Sequence, residues 1–431
     1  MTMEDLGKYK PYPAYKDSGV EWLVKIPEGW SIKKVRHLFE IKKRIAGTEG
    51  YEVLSITQQG IKIKDIKSGD GQLSMDYSKY QFVEIGDFAM NHMDLLTGYV
   101  DIASIFGVTS PDYRVFSVID KKISFDRYYM YIFQMCYKQK IFYSFGQGAS
   151  QLGRWRFPTD QFNGFKLPYP TIYEQERIAA FLDHETVKID KLIAKQGRLI
   201  DVLYEKVTSL VLLSVDQTET QELRLENAAR IISRPVSQKE GDIYTKIGLY
   251  NRGRGLFHKD PLEIDDMGDS DFFWIEEDDL IISGQFAWEG AVALAGKEDA
   301  ECVVSHRYPV LRGRAGICLT EYLFALLLTK HGDFLLNENS RGAAGRNRPL
   351  NINSLLKEKI PVPDMETQEK IAKAVHLRRI LSKKISKQVD LLKEHRSSLI
   401  SAAVTGKIDV RNLVKHPNPQ EESYACNPPN P

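Results

Sequence analysis

Cysteine is scarce: Cys136, Cys302, Cys318 and Cys426 are the four in 431 residues. None belongs to a C-x-x-C pair, so neither a zinc site nor a disulfide framework is expected, and the first three read as buried thiols. His37, His92, His258, His306 and His331 show no H-E-x-x-H or other ligand spacing, and His92 and His306 read as hydrogen-bonded loop residues. Gly146-Gln147-Gly148 and Gly342-Ala343-Ala344-Gly345 carry no Walker lysine and do not join a strand to a helix, which excludes a phosphate cradle. No nuclease-like carboxylate–lysine cluster is present. The acidic run Glu276-Glu277-Asp278-Asp279 reads as a solvated turn before a strand. Asn427-Pro428-Pro429-Asn430 lacks the aromatic that would hold a flipped adenine. Catalytic, cofactor and metal residues are therefore expected to be absent.

Two further absences bound the partners. No charged-then-apolar leader opens the chain and no apolar run nears about 18 residues, so a cytoplasmic protein is expected. The net charge is only +1, which excludes a protein that coats nucleic acid indiscriminately. Any DNA binding must rest on local clusters of basic groups or on a partner's charge.

What is present is a pattern stated twice. Leu167-Pro168-Tyr169-Pro170-Thr171-Ile172-Tyr173-Glu174-Gln175-Glu176 returns as Ile360-Pro361-Val362-Pro363-Asp364-Met365-Glu366-Thr367-Gln368-Glu369, 193 residues later. Each copy reads as a strand end, a proline stop, an N-cap and a helix start. Thr171 with Glu174 fits a capping box, and Asp364 is a good N-cap at the matching place. A long helix is predicted after each cap, the second running to Gly406 as its C′ residue. Roughly 40 residues at 1.5 Å each make a rod of about 60 Å. Ile189, Leu192, Leu199, Leu203, Leu210 and Leu213 recur at coiled-coil spacing in the first helix, as do Ile385, Val389, Leu392 and Leu399 in the second. Such stripes are unstable alone in water, so the two helices are expected to pair with each other, antiparallel.

The globular halves repeat as well. Tyr244, Ile247, Leu249 and Gly253 follow Tyr51, Leu54, Ile56 and Gly60 by 193 residues, and Gly290, Val292 and Leu294 follow Gly98, Val100 and Ile102 by 192. Strands are predicted around Tyr51–Ile56, Tyr80–Val83, Asp87–Met90, Tyr99–Ile105 and Tyr113–Val118, a short amphipathic helix over Ile32–Ile41, and an aromatic-rich helix over Asp126–Ile141. The fold class is therefore α+β: two mixed α/β globular domains, two long helices pairing as an antiparallel coiled coil, and a pseudo-twofold internal repeat. The expected bounds are a globular domain over 1–166, a long helix over 167–219, a second globular domain over 220–359, a second long helix over 360–412, and a disordered tail over 413–431.

Without catalytic chemistry, recognition remains. The loops expected at matching places in both halves are rich in basic and amide side chains. In the first these are Gln58, Gln59, Lys62, Lys64, Gln147, Gln151, Arg154 and Arg156. In the second they are Asn251, Arg252, Arg254, Arg341, Arg346, Asn347 and Arg348. Amides and guanidinium groups suit base edges in a DNA groove, while lysine and arginine suit phosphates. A coiled-coil adaptor with protein- or ligand-binding heads, or a self-contained DNA-modifying enzyme, stands as the alternative.

Tyr15-Lys16-Asp17-Ser18-Gly19-Val20-Glu21-Trp22 leading to Ile26-Pro27 and Trp30, the paired Pro-x-Pro…Gln-Glu segments, and Ala402-Ala403-Val404-Thr405-Gly406-Lys407-Ile408-Asp409 together resemble the specificity subunit of type I restriction-modification systems. The resemblance spans nearly the whole chain. It implies two target-recognition domains, each reading half of a bipartite site in double-stranded DNA, with the helices setting the spacing and docking two modification (methyltransferase) subunits. It implies S-adenosylmethionine in those subunits, and ATP and magnesium in restriction/translocase subunits where these are present. One departure is Ser209-Leu210-Val211-Leu212-Leu213-Ser214-Val215, which replaces in the first helix the Ala-Val-Thr-Gly-Lys end of the second. The first helix is therefore expected to end differently.

Overall fold

The computed structural model describes residues 9–66, 74, 76–148, 155–217, 219–237, 242–263, 266, 270–342 and 348–413. The expected disordered tail and the candidates Gln151, Arg154, Arg346 and Asn347 lie outside them, apart from residue 413. The chain forms two compact units, one of residues 1–193 with 390–431, the other of residues 194–389. The long helices, Ile172–Gln217 and Met365–Val404, each contribute one piece to each unit. Among the described residues no helix is long and apolar enough to cross a membrane.

In the first unit a four-stranded antiparallel sheet runs in the order Phe39–Lys42, Arg114–Val118, Phe88–Met90, Val100–Ile102. The helix Asp126–Lys138 is buried from Tyr128 to Phe133, with aromatics inward on every side. Phe133 meets Phe116 edge-on at 5.6 Å and Tyr129 meets Phe39 at 5.3 Å, the geometry in which ring quadrupoles attract. The second unit repeats the sheet as Ala229–Ile231, Val310–Gly313, Leu280–Ile282, Val292–Leu294 in the same order. Its covering helix, Thr320–Leu327, buries Tyr322 and Phe324 among leucines. Hairpins repeat too: Leu54–Thr57 with Gly60–Ile63, and Ile247–Leu249 with Leu256–His258.

The helix starts form as their residues dictate. The Thr171 backbone N–H donates to Glu174 at 3.3 Å and the Glu174 N–H returns a bond to the Thr171 hydroxyl at 3.3 Å, closing the capping box. Asp364 accepts the Thr367 N–H at 2.9 Å. At the other end Gly406 has φ +74°, with Gly406 N–H to Ala403 carbonyl at 3.2 Å and Lys407 N–H to Ala402 carbonyl at 2.8 Å, a Schellman ending. A Cβ on Gly406 would stand 2.5 Å from the Pro27 ring. The first helix runs to Gln217 and is followed by the strand Gln221–Arg224.

Each unit shows antiparallel helix pairing by itself. In the second, the strand that leaves the first helix, Gln221–Arg224, pairs with Lys359–Val362, the strand that leads into the second helix. In the first, Tyr15 donates from its hydroxyl to the Gly406 carbonyl at 3.1 Å, and Asp190 pairs with Arg396 at 2.9 Å. The seam differs from the predicted stripe. Ile189, Ile385 and Leu399 are buried and Val389, Leu392, Leu203 and Leu210 half-buried, but Leu192, Leu199 and Leu213 are 49%, 45% and 49% exposed. The inward face instead runs through Leu182, Thr186, Ile189 and Ile193, then Val207, Val211 and Ser214, still at steps of three and four.

Two other expectations are corrected. Ile32–Ile41 is not a helix but strand Ser31–Lys34, a 3-10 turn Val35–His37 and strand Phe39–Lys42. Pairing with Lys166–Tyr169 and with Arg114–Val118 overrides its local helical pattern. Asp279 is not solvated: it is fully buried, accepting from Arg234 at 2.8 Å, Arg312 at 2.5 Å and the Glu276 N–H at 2.8 Å. Asp87 occupies the same place in the first unit, paired with Arg44 and accepting the Glu84 N–H at 2.9 Å. Cys136, Cys302 and Cys318 are buried free thiols, as expected.

Candidate nucleic-acid interface

In the first unit Gln58 and Gln59 form the turn of the hairpin between Leu54–Thr57 and Gly60–Ile63. Gly60 closes that turn at φ +99°, where other residues are strained. Both glutamines are exposed, and the Lys62 ammonium donates to Gln59 Oε1 at 2.6 Å. Lys64 lies just past the strand and is half-buried. Gln147 and Arg156 face each other in a two-residue bridge, with N–H to carbonyl distances of 2.8 and 3.0 Å. Between them in sequence lie Gln151 and Arg154. Trp155 stacks on Tyr143 at 5.2 Å and donates its indole N–H to the Tyr143 carbonyl at 2.7 Å, which fixes the base of this loop.

A third loop joins the two. Gln58 donates to the Thr97 carbonyl at 3.4 Å, Leu95 N–H to the Trp155 carbonyl at 2.9 Å, and Phe157 N–H to the His92 carbonyl at 2.8 Å. The segment Asn91–Gly98, at the end of the central strand Phe88–Met90, thus gathers the hairpin turn and the Arg156 loop. Behind it the Arg114 guanidinium is buried without a carboxylate, donating to the Phe157 carbonyl at 3.0 Å and lying 4.4 Å over the Phe162 ring; burial pushes its pKa down to about 10. Burial also pushes the His92 imidazole down to about 4, helped by the nearby positive charges of Arg114 and Arg156. The buried Nδ1 of the His92 ring has no hydrogen-bond partner among the described residues, while a backbone hydrogen bond with Met90 opposes the downward shift.

The second unit assembles the same three segments. Asn251, Arg252 and Arg254 lie in the hairpin turn between Ile247–Leu249 and Leu256–His258. Arg252 N–H donates to the Glu289 carbonyl at 3.3 Å and Gly253 N–H to the Gly290 carbonyl at 3.1 Å. Leu350 N–H donates to the Gly284 carbonyl at 2.8 Å, the counterpart of Phe157 on His92. Arg348 lies 5.2 Å over the Trp288 ring and donates to the Ser340 carbonyl at 3.0 Å. Here the segment Gly284–Gly290 plays the joining part.

Acidic groups already engage some of these donors. Arg341 pairs with Glu338 at 2.8 Å, and Asn251 donates to Glu289. Gln58, Gln59, Lys62, Gln147, Arg156 and Arg254 are exposed. Both clusters therefore offer amide and guanidinium donors on one set of loops, which suits hydrogen bonding to base edges and phosphates. Among the described residues the grouping that could hold a metal ion is Asp278, Glu321 and His376 in the second unit. Arg379 stands within it, 3.4 Å from Asp278 and 3.4 Å from His376 Nδ1, and already supplies positive charge.

A family model described as the type I restriction modification DNA specificity domain matches this chain twice, over residues 27–196 and 222–391. The chain belongs to that family. Its two matched stretches are the two halves of the repeat, so this specificity subunit carries two DNA specificity domains in tandem. One solved structure agrees on the fold. A structure from work on complex assembly and conformational transition of the type I restriction-modification system is 13% identical, with 89% of this chain and 99% of that chain covered and a TM-score of 0.54. The S subunit from M. genitalium is 16% identical over 87% of this chain and 96% of that chain, at a TM-score of 0.46. The HsdS subunit from Thermoanaerobacter tengcongensis is 14% identical over 89% and 98%, at 0.41. No curated protein matches the sequence.

The sequence singles out the two outer loops of each cluster as candidates but not the joining segments Asn91–Gly98 and Gly284–Gly290. Their signal was available, because Gly98 and Gly290 stand in the repeat at the same offset as the strands beside them.

Proposed function

We propose that each unit of this specificity subunit reads one half of a bipartite site in double-stranded DNA, through its hairpin turn and the loop joined to it. The observation that carries this reading is the recurrence of the same three-segment cluster, with Gln58, Gln59, Gln147 and Arg156 in one unit and Asn251, Arg252, Arg254 and Arg348 in the other. The two long helices set the spacing between half-sites and dock two modification subunits. Exposed Leu192, Leu199 and Leu213 suit that second role better than the coiled-coil seam. The chain itself contributes no catalytic group. S-adenosylmethionine for adenine N6 methylation comes with the modification subunits, which also take the target base out of the stack. ATP and magnesium come with restriction subunits, and the complex works in the cytoplasm.

The test is co-expression with the neighbouring methyltransferase followed by mapping of N6-methyladenine across the host DNA. A methylated motif of two short half-sites around a fixed gap is expected. A stable complex that methylates a single continuous motif, or none, would overturn the proposal. DNA affinity should also fall steeply as salt rises, since phosphate contacts release counterions.

A further inference from the structure

Arg378, on the second long helix, is a buried cation with no carboxylate beside it among the described residues. It is 8% exposed, and its guanidinium lies 5.3 Å over the Tyr204 ring and 5.8 Å over the Phe324 ring. Its Nε has no hydrogen-bond partner, and burial pushes its pKa down. Desolvating a guanidinium is costly, and an apolar side chain of similar volume would fill this space at less cost. One contact explains the arginine: it donates to the Gly253 carbonyl at 2.9 Å.

Gly253 lies at the centre of the Asn251–Gly255 turn that carries Arg252 and Arg254. Both Arg252, at φ +57°, and Gly253, at φ +60°, are left-handed. For an arginine that conformation is strained and persists only where the surroundings enforce it. A Cβ at position 253 would collide with Leu328, and Tyr204 donates to the Leu328 carbonyl at 2.6 Å, so the ring beneath Arg378 is itself fixed. The neighbouring Arg379 donates to the Ala295 carbonyl at 3.0 Å. The first unit is built differently. The residue 193 positions before Arg378 is Glu185, which pairs with Lys188 at 3.0 Å on its own helix, and the Thr57–Gly60 turn rests on its own ladder and on Thr97.

We propose that Arg378 is a specificity-determining positioning residue: it struts the Asn251–Gly255 turn against the long helices and thereby selects the bases that Arg252 and Arg254 read. The inference rests on the DNA-reading role proposed above. It makes the long helix part of the reading apparatus in the second unit, while the first unit's turn is held from within its own domain.

The test uses the full chain in complex with its modification subunit, comparing wild type with Arg378→Gln and Arg378→Lys. Amide hydrogen exchange at residues 250–255 should quicken about tenfold or more in Arg378→Gln, with residues 57–60 unchanged. The methylated motif should admit additional bases in one half only. Arg378→Lys, which can still donate to the Gly253 carbonyl, should recover much of both and carries the same two measurements if Arg378→Gln does not fold. Unchanged exchange at 250–255, or a loss of methylation shared equally by both halves, would overturn the strut. A wild-type complex without a bipartite motif instead removes the DNA-reading role, and the exchange result still decides whether Arg378 holds the turn.

Discussion

Gln175 and Gln368, 193 residues apart, make the same set of hydrogen bonds. Gln175 donates to the Pro170 carbonyl at 3.0 Å and the Ile123 carbonyl at 3.3 Å, and accepts the Phe125 N–H at 2.8 Å. Gln368 donates to Pro363 at 2.8 Å and Ile317 at 3.1 Å, and accepts the Leu319 N–H at 2.8 Å. Phe125 and Leu319 are the N-cap residues of the helices Asp126–Lys138 and Thr320–Leu327, neither of which has a side-chain cap of its own. Each glutamine, almost wholly buried, therefore ties the first turn of a long helix to the start of the domain helix beside it. The repeated Pro-x-Pro…Gln-Glu segment is the joint between domain and helix.

That joint should fail when its glutamine loses its polar end. Gln175→Leu leaves the Phe125 N–H and the Pro170 carbonyl without their partner, while Ile123 keeps the Tyr169 hydroxyl; Gln368→Leu strips the Leu319 N–H and the Pro363 and Ile317 carbonyls, and each is expected to destabilise its unit by about 2–3 kcal/mol. Urea unfolding followed separately in the two units is the check; a loss below about 0.5 kcal/mol would contradict the assignment.

Two glycines of the long helices should respond in opposite directions. Gly406→Ala meets Pro27 at a left-handed position and should destabilise the chain by about 1–3 kcal/mol. Gly197 lies inside the first helix with nothing within 4 Å of a new Cβ, so Gly197→Ala should stabilise by about 0.5–1 kcal/mol. Thermal unfolding of both variants reports the signs.

Asp279 anchors Arg234 and Arg312 from a fully buried position. Asp279→Asn leaves both guanidinium groups with only the more exposed Glu276 carboxylate, 2.8 Å from Arg234 and 3.2 Å from Arg312, and is expected to cost about 3 kcal/mol. Soluble yield and the urea midpoint are the measurements.

His92 sets an acid sensitivity in the first unit. Its folded pKa of about 4 lies below the ordinary 6.5, so the unfolded chain takes up the proton first as pH falls. The unit therefore loses stability between pH 6.5 and about 4, by about 2–3 kcal/mol from this group at most, and gains nothing above that window. His92→Gln should flatten the pH dependence of the unfolding midpoint in that window; an unchanged slope would contradict the burial of a neutral imidazole.

The repeat and the helix ends were legible in the sequence because they rest on local chemistry: prolines, a Thr–Glu box, an aspartate cap and a C′ glycine each act within a few residues. In the first helix the buried face departs from the leucine stripe by one position past Ile189, whereas Ile385, Val389, Leu392 and Leu399 of the second are buried or half-buried as expected. Leu192 and Ile193 are both apolar, and a stripe choice made on leucines drifts around a 3.6-residue helix. Ile32–Ile41 was misread because its strands are set by partners more than seventy residues away. Asp279 reads as one acid in a solvated run, and only its partners Arg234 and Arg312, more than thirty residues away on either side, reveal that it is buried. The candidate loops stand out by composition, whereas their assembly around Asn91–Gly98 and Gly284–Gly290 depends on the sheet.

The account stands most directly on one comparison of methylated motifs: wild type, Arg156→Ala and Arg348→Ala, each assembled with the modification subunit. Losing one donor to a base edge or phosphate weakens recognition by about 1–3 kcal/mol. Arg156→Ala is predicted to relax or shift one half of the motif and Arg348→Ala the other, with the gap between halves unchanged. If either substitution altered both halves alike, or the two altered the same half, the claim of two separate readers in one chain would be wrong.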